Sequence, residues 1–105
     1  MKFPAENSKL IDLGTFTGVK AGDAVETDGF DKWTWQVIFS GTITDAEIAL
    51  EGGIDGSNWF ELDVTFSTTN EMRHVVNKPV RYIRANVRTL TGTTPQVEVK
   101  AYGMR

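Results

Sequence analysis

The sequence of 105 residues contains no cysteine, one histidine and three prolines. The lack of cysteine excludes disulfides, thiol nucleophiles and cysteine-ligated zinc or iron–sulfur sites. No apolar run approaches the roughly 18 residues that a membrane-spanning helix needs. The first residues, MKFPAENSK, lack the apolar segment of a secretory signal. We therefore expect a protein that has no membrane contact and is made and used without a standard export route.

Residues and motifs that could carry out catalysis are also scarce. His74 has no second histidine to share a metal ion with it, and no serine lies in the G-x-S-x-G pattern of a nucleophile elbow. The acidic stretch EGGIDGSN lacks the alternating ligands and distal glutamate of a calcium loop, and GGIDG lacks the lysine of a P-loop. We expect no enzymatic activity, no cofactor and no bound metal.

The net charge of −3 is unevenly distributed along the chain. Residues 1–66 hold twelve acidic and four basic side chains, and residues 67–105 hold two acidic and seven basic ones. The simpler interpretation is that the two signs pair across the fold, and the alternative is that they meet between neighbouring copies. Nucleic-acid binding fits poorly, because the chain is acidic and its basic residues form no patch.

Period-two alternation of apolar and polar residues dominates the chain from residue 31 onward. It is clear in KWTWQVIFSG, AEIALEG, NWFELDVTFS, VRYIRANVRTL and QVEVKAYG, and turn-forming residues separate these segments. Such alternation is typical of antiparallel strands that have one face on a core. We predict an all-β fold, an antiparallel, jelly-roll-like β-sandwich over residues 31–105. In NWFELDVTFS the pattern puts Phe60, Leu62, Val64 and Phe66 on the core face.

Residues 1–30 differ from the rest, with several glycines and only short apolar stretches. We interpret them as an extended N-terminal arm or edge segment that becomes ordered against a partner. A first sandwich strand followed by a long loop is the alternative. If the segment is an arm, its candidate partner-binding residues are Phe3, Leu10 and Phe16.

The stretch LEGGIDGSNWFEL predicts a hairpin whose turn is set by Asp55-Gly56. Trp33 and Trp35 share a face with other apolar residues and are expected in the core, whereas Trp59 lies on the opposite face beside the turn. Trp59 could cover the hairpin end, stack on a sugar or anchor a protein contact. The other outward-facing candidates for partner binding are Tyr82, Arg84 and Arg88.

The segments LEGGIDGSNWFELDV and KPVRYIRANVRTLTGTTPQVEVKAYG together resemble a recurring module. It consists of a strand, a small-D-G-x-x-W hairpin, a second strand, an R-Y-[IV]-R strand and a final V-x-V strand. This pattern, over residues 46–102, is similar to small β-sandwich structural proteins of tailed-bacteriophage virions, including capsid decoration (cement) proteins. The hairpin and RYIR strand also look like part of the discoidin sandwich, which often binds glycans or lipids.

The resemblance implies a non-enzymatic head decoration protein, made in the host cytoplasm and located on the outer capsid surface. It would bind the major capsid protein and itself, with a homotrimer as the favoured assembly. Two alternatives remain open at this stage. One is a glycan-binding module of a tail fibre or cell-surface protein, with Trp59 and Tyr82 as stacking residues, and the other is a head–tail connector or tail component.

Overall fold

The computed structural model describes residues 8–27 and 29–105, and every regular element in these ranges is a β-strand. No helix in these two ranges could cross a membrane. All of the strand pairs are antiparallel. The strands are β1 (Ser8–Phe16), β2 (Lys20–Ala21), β3 (Val25–Glu26), β4 (Lys32–Gly53), β5 (Phe60–Thr65), β6 (Glu71–Val75) and β7 (Tyr82–Met104).

Two long strands organise the molecule. β4 and β7 pair along nearly their whole length, from Lys32 opposite Met104 to Gly53 opposite Tyr82. A straight strand of 22 residues would span about 70 Å, which exceeds the longest molecular dimension of 51 Å. The ribbon bends instead, and its register shifts between Ser40 and Thr42, between Ile43 and Asp45, and between Glu47 and Ile48. Bulges of this kind bend a strand and increase its twist.

The bend divides the sheet into two layers. The first layer contains β6, residues 32–40 of β4, residues 96–104 of β7, and β1. The second layer contains β5, residues 42–53 of β4 and residues 82–93 of β7, with β2 and β3 along its edge. The result is an all-β sandwich, as the alternation predicts.

The core lies between the inner faces of these layers. The first layer contributes Trp33, Trp35, Val37, Val97 and Val99, and the second contributes Ile48, Leu50, Ile83, Ala85 and Val87, all of them buried in one cluster. At one side of the core, Trp35 Nε1 of the first layer donates a 2.9 Å hydrogen bond to Asp63 Oδ2 of the second. Arg73 on β6 also donates to Asp63, at 2.8 and 3.0 Å. These bonds tie the edge strands of the two layers together.

The face assignment predicted for β5 is wrong at both ends of the segment, because Phe60 and Phe66 are exposed. Leu50 lies opposite Asp63 whereas the next residue, Glu51, lies opposite Glu61, so the pairing skips one residue of β5. A shift of one residue in register exchanges the faces of a strand. As a result Asp63 points inward beside Leu50 and binds Trp35.

The described part of the N-terminal segment belongs to the sandwich. β1 pairs with β7 from Ser8 opposite Met104 to Phe16 opposite Val97, with Ile11 and Leu13 buried. β2 and β3 then run along β7, joined by loops. Residues 8–27 therefore include an edge strand, β1, which agrees with the edge-segment half of the prediction, and they do not form a free arm. They follow the alternative, a first strand and a long loop, because alternate apolar residues of β1 complete the core.

Candidate binding surfaces

The outer face of the second layer carries a network of polar and charged side chains around Glu51. Arg84 Nε donates a 2.8 Å hydrogen bond to Glu51 Oε1, and Arg84 lies directly opposite Glu51 in the pairing of β4 with β7. Asn86 Nδ2 and Arg88 Nη2 each donate to Glu51 Oε2 at 3.1 Å. We call this the Glu51 network, and its members are Glu47, Glu51, Glu61, Arg84, Asn86 and Arg88.

Glu51 is only 6% exposed although its side chain points away from the core. Burial by itself would raise the pKa of Glu51, but the hydrogen bonds from Asn86, Arg84 and Arg88 outweigh this effect and lower the pKa below its ordinary value. The carboxylate is therefore ionised at neutral pH. Its main role is to hold the two arginines in place on β7.

Arg88 joins three carboxylates. Its Nη1 donates to Glu61 Oε1 at 2.6 Å and to Glu47 Oε2 at 3.2 Å, in addition to the contact of Nη2 with Glu51. The hydrogen bond to Glu61 is the main reason that the pKa of Arg88 rises above its ordinary value. Three of the five N–H groups of the guanidinium are thus directed at carboxylates of the same chain. This leaves Arg88 with little capacity to recognise an external anion.

Trp59 and Tyr82 flank the network. The Arg84 guanidinium carbon lies 4.3 Å from the centroid of the Trp59 ring, a cation–π contact that covers one face of the indole. The Tyr82 ring lies against Gly56 in the neighbouring turn. Trp59, on which the glycan alternative depends, therefore has a structural partner in Arg84.

The turn next to Trp59 is built around Asp55. Its Oδ1 accepts hydrogen bonds from the backbone N–H groups of Ser57 and Asn58, each at 2.8 Å, and Gly56 has a φ of +76°. The bonds from Asn58 and Ser57 lower the pKa of Asp55 to about 2. The predicted hairpin is confirmed, since β4 pairs with β5 across this turn. The acidic stretch is thus explained by turn geometry.

The structure brings four of the seven predicted site residues together on this face: Trp59, Tyr82, Arg84 and Arg88. Phe16 is a correction, because it is only 6% exposed and belongs to the core cluster, so it cannot contact a partner. Leu10 is 64% exposed, but it lies on the outer face of the first layer, away from the other four. Phe3 lies outside the described residues.

The sequence interpretation did not select the acidic half of the Glu51 network. Alternation in AEIALEG correctly separates Glu47 and Glu51 from the buried Ile48 and Leu50. The signal that could have identified them is the matching alternation of arginines in RANVR, since opposite charges on adjacent strands attract each other. Their register, which is set by the bend and the bulges, cannot be obtained from alternation.

The same pairing explains the uneven distribution of charge along the chain. Three ion pairs join an acidic residue before position 67 to a basic residue after it. They are Glu51 with Arg84, Glu47 with Arg88, and Asp63 with Arg73. Glu26 and Arg81 form a further, exposed pair at 3.7 Å. The simpler of the two interpretations, pairing across the fold, is confirmed for these residues.

The outer face of the first layer has a different character. Leu10, Tyr102, Thr34 and His74 lie side by side on four adjacent strands, and Asp12, Lys100, Gln36 and Met72 form the next row. Leu10, Ile38, Met72 and Tyr102 are exposed on this face. A groove of about 110 Å³ runs over it, lined by Leu10, Gln36, Met72 and Tyr102 among others. We call this surface the apolar face.

His74 is an exposed member of that surface, and its Nδ1 lies 2.9 Å from the hydroxyl of Thr34. Across residues 8–27 and 29–105, no group of three or more histidine, aspartate or glutamate side chains is arranged to hold a metal ion. The histidine therefore takes part in a strand-to-strand contact, and the prediction that it is not catalytic remains a prediction.

No protein-family profile matches the sequence. A sequence comparison likewise finds no curated protein with significant similarity. Comparison of the fold with solved structures is informative, because folds persist after sequence similarity is lost.

Three similar structures cover nearly the whole chain. The SPBc2 prophage-derived protein YomS has a TM-score of 0.72 and 16% identity, covering 100% of this chain and 99% of YomS. The PBSX exported protein XepA has a TM-score of 0.60 and 17% identity, covering 97% of this chain but 40% of XepA. PirA has a TM-score of 0.51 and 13% identity, covering 100% of this chain and 99% of PirA. At the level of the fold, the resemblance to phage β-sandwich proteins is confirmed, and the chain shares its fold with a prophage-derived protein along its whole length.

Proposed function

We propose that this protein is a structural component of a tailed-phage particle that acts by binding and catalyses no reaction. Within that class we propose a head decoration protein that binds the major capsid protein on the outer surface of the shell. The observation that carries the proposal is the whole-length match to YomS, a prophage-derived protein that consists of one such sandwich. The module resemblance described above supports the finer assignment to capsid decoration.

The geometry suits a binding role. The two layers are tied together by Asp63, Arg73 and Trp35, so the sandwich presents its outer faces as stiff surfaces. Charged groups of the Glu51 network are satisfied within the chain, whereas the apolar face leaves Leu10 and Met72 in contact with water. Exposed apolar surface next to polar groups is typical of protein–protein contact sites.

The direct test is binding of the purified protein to capsids of the phage that encodes it. Expanded, empty shells that lack the protein are mixed with increasing amounts of it and recovered by sedimentation. We expect saturable binding, at a fixed number of copies per shell, and a higher temperature of shell disruption. Shells that already carry the native protein are the matched control and should take up little more.

Two results would contradict the proposal. One is the absence of sedimentation with expanded shells at micromolar concentration, and the other is binding that does not saturate. Saturable binding to tail structures in place of shells would keep the virion role but overturn the assignment to capsid decoration.

A further inference from the structure

The short strands β2 and β3 and the strands β1, β5 and β6 lie at the edges of the two layers. An edge strand exposes backbone N–H and C=O groups to which another chain can bind. β1 carries a bulge between Asp12 and Gly14, where the Gly14 N–H donates to Asp12 Oδ1 at 2.9 Å. β5 carries an extra residue at Leu62, whose carbonyl oxygen accepts a 2.7 Å hydrogen bond from Lys78 Nζ. Bulges, lysines and very short strands all hinder the addition of a further strand.

β6 is the exception among the described edge strands. It has five residues, an average length for a strand, contains neither lysine nor proline, and pairs with β4 without a shift in register. A charged side chain that points inward can also protect an edge, and Arg73 is such a residue. However, Asp63 and Glu71 neutralise Arg73 through ion pairs of 2.8 and 3.4 Å. The edge of β6 is therefore open to a further strand.

The direction of the backbone groups of β6 follows from one contact on β4. The Phe39 N–H donates a 2.8 Å hydrogen bond to Asn70 Oδ1, and Asn70 immediately precedes β6, so this N–H points toward β6. In an antiparallel pair the direction of the backbone groups repeats every second residue. The register is unbroken from residue 33 to residue 39, so residues 33, 35 and 37 of β4 also direct their backbone groups to β6.

The partners of these three residues on β6 are Val75, Arg73 and Glu71, which therefore bind β4. Met72 and His74 lie between them and direct their N–H and C=O groups away from β4, toward the open edge. No other backbone or side-chain group in residues 8–27 and 29–105 binds these outward groups. They repeat about every 6.8 Å along the edge, a spacing that an extended backbone matches.

The exposed side chains beside this edge indicate what the added strand carries. Met72 and Val76 are each 59% exposed. Val76 lines a hollow with Thr34 and His74 on the outer face of the first layer, and Met72 lies further along the same face. In neighbouring strands, side chains on the same face contact each other at every second residue. An added strand with apolar residues at these alternate positions would cover Met72 and Val76.

We propose that β6 binds an extended segment of another protein, which joins the first layer as a further strand and carries apolar residues at every second position. The source of the segment, the major capsid protein, rests on the proposed function. Backbone hydrogen bonds at Met72 and His74 supply the affinity, and contacts with Met72 and Val76 supply the preference for apolar side chains. The inference adds to the proposed function the strand that makes the contact and the conformation of the segment that it binds.

The first test measures amide hydrogen exchange of the free chain, residue by residue, by NMR. We expect the amides of Met72 and His74 to exchange at least ten-fold faster than those of Arg73 and Val75, because the latter two bind β4. Equal protection of all four amides would show that the edge is not free and would overturn the proposal.

The second test measures the dissociation constant for expanded, empty shells by sedimentation. Met72→Pro removes the outward N–H but no hydrogen bond to β4, whereas the matched control, Met72→Ala, shortens the same side chain and keeps the N–H. We expect Met72→Pro to bind at least ten-fold more weakly than Met72→Ala. His74→Pro and His74→Ala form a second pair, which gives the answer if circular dichroism shows that Met72→Pro does not fold.

Dissociation constants of the proline and alanine variants within two-fold of each other would overturn the edge contact but leave the decoration role intact. Failure of the wild-type chain to bind shells would contradict the proposed function, and with it the capsid protein as the source of the segment. A dimer of the free chain that Met72→Pro abolishes would identify a second copy as the occupant and would likewise overturn the proposal.

Discussion

Glu51 is a carboxylate that is buried on the outer side of a strand. Alternation in the sequence places it away from the core, but Arg84, Asn86 and Arg88 cover it from the neighbouring strand. A buried charge is tolerated when its hydrogen-bonding capacity is filled, and both carboxylate oxygens of Glu51 accept bonds. The stability of this face therefore depends on one side chain.

Replacing Glu51 by Gln should lower the free energy of unfolding by about 2 kcal/mol, because two arginines lose their shared counter-charge in a partly dry site. Urea denaturation followed by tryptophan fluorescence measures the change. Glu26→Gln is the matched control, because Glu26 pairs with Arg81 at 3.7 Å on an exposed surface. This substitution should lower the free energy of unfolding by less than about 0.5 kcal/mol. Equal losses in the two variants would contradict the role assigned to Glu51.

The lowered pKa values of Glu51 and Asp63 make stability depend on pH in the acid range. Their ordinary values are 4.5 and 3.8, and in the folded state both are lowered despite burial, by hydrogen bonds from Arg84, Asn86 and Arg88 to Glu51 and from Arg73 and Trp35 to Asp63. The unfolded chain therefore binds these protons more tightly, so the stabilisation is complete above pH 4.5 and is lost as pH falls through the lowered values.

Urea midpoints at pH 6 and pH 3 should thus show a clear loss of stability for wild type. Glu51→Gln removes one of the responsible groups, so we expect this variant to lose less stability between the two pH values. An acid dependence identical to that of wild type would show that Glu51 titrates alike in the folded and unfolded chain, contrary to this explanation.

At the scale of elements, the decisive feature is the bend at which β4 and β7 pass from one layer to the other. Gly92 lies there with a φ of +146°, and a Cβ on it would come within 1.8 Å of the carbonyl oxygen of Thr42. The strand pair can approach this closely only because residue 92 has no side chain. The bend in turn allows one ribbon to supply strands to both layers.

Gly92→Ala should therefore lower the free energy of unfolding by at least about 2 kcal/mol, through backbone strain and displacement of β4. Gly18→Ala provides the comparison, because a Cβ at residue 18 has no neighbour within 4 Å. This substitution should change the free energy of unfolding by no more than about 1 kcal/mol. Thermal unfolding of both variants measures these losses of stability. If Gly92→Ala is no less stable than Gly18→Ala, the bend does not need the glycine.

Sequence reasoning succeeded where it depended on local alternation and failed where it depended on register. The buried faces of residues 33–37, 83–87 and 97–101 follow directly from period two. The exposed Phe66 and the inward Asp63 do not, because an extra residue in β5, at Leu62, exchanges the faces of the residues that follow it. Burial of Phe16 was missed because the loop-rich composition around it obscured β1.

At the scale of the whole molecule, the two outer faces of the sandwich expose different kinds of side chain. The second layer presents the Glu51 network, whose charges are satisfied internally, and the first layer presents the apolar face. Alternation alone predicts that Ile38 and Tyr102 point outward, but the four exposed residues come from segments far apart in the chain. Only the pairing of β1, β7, β4 and β6 brings them together, so the sequence could not have shown this surface.

We propose that this protein works as a bound component of a phage particle. Quantitative mass spectrometry of purified virions of the encoding phage, with the major capsid protein as internal standard, tests it most directly. We predict that the protein remains with the particles through density-gradient purification, at a fixed ratio to the capsid protein and at dozens of copies or more per virion. Its absence from purified virions, together with its presence in the soluble fraction of the lysate, would contradict the account.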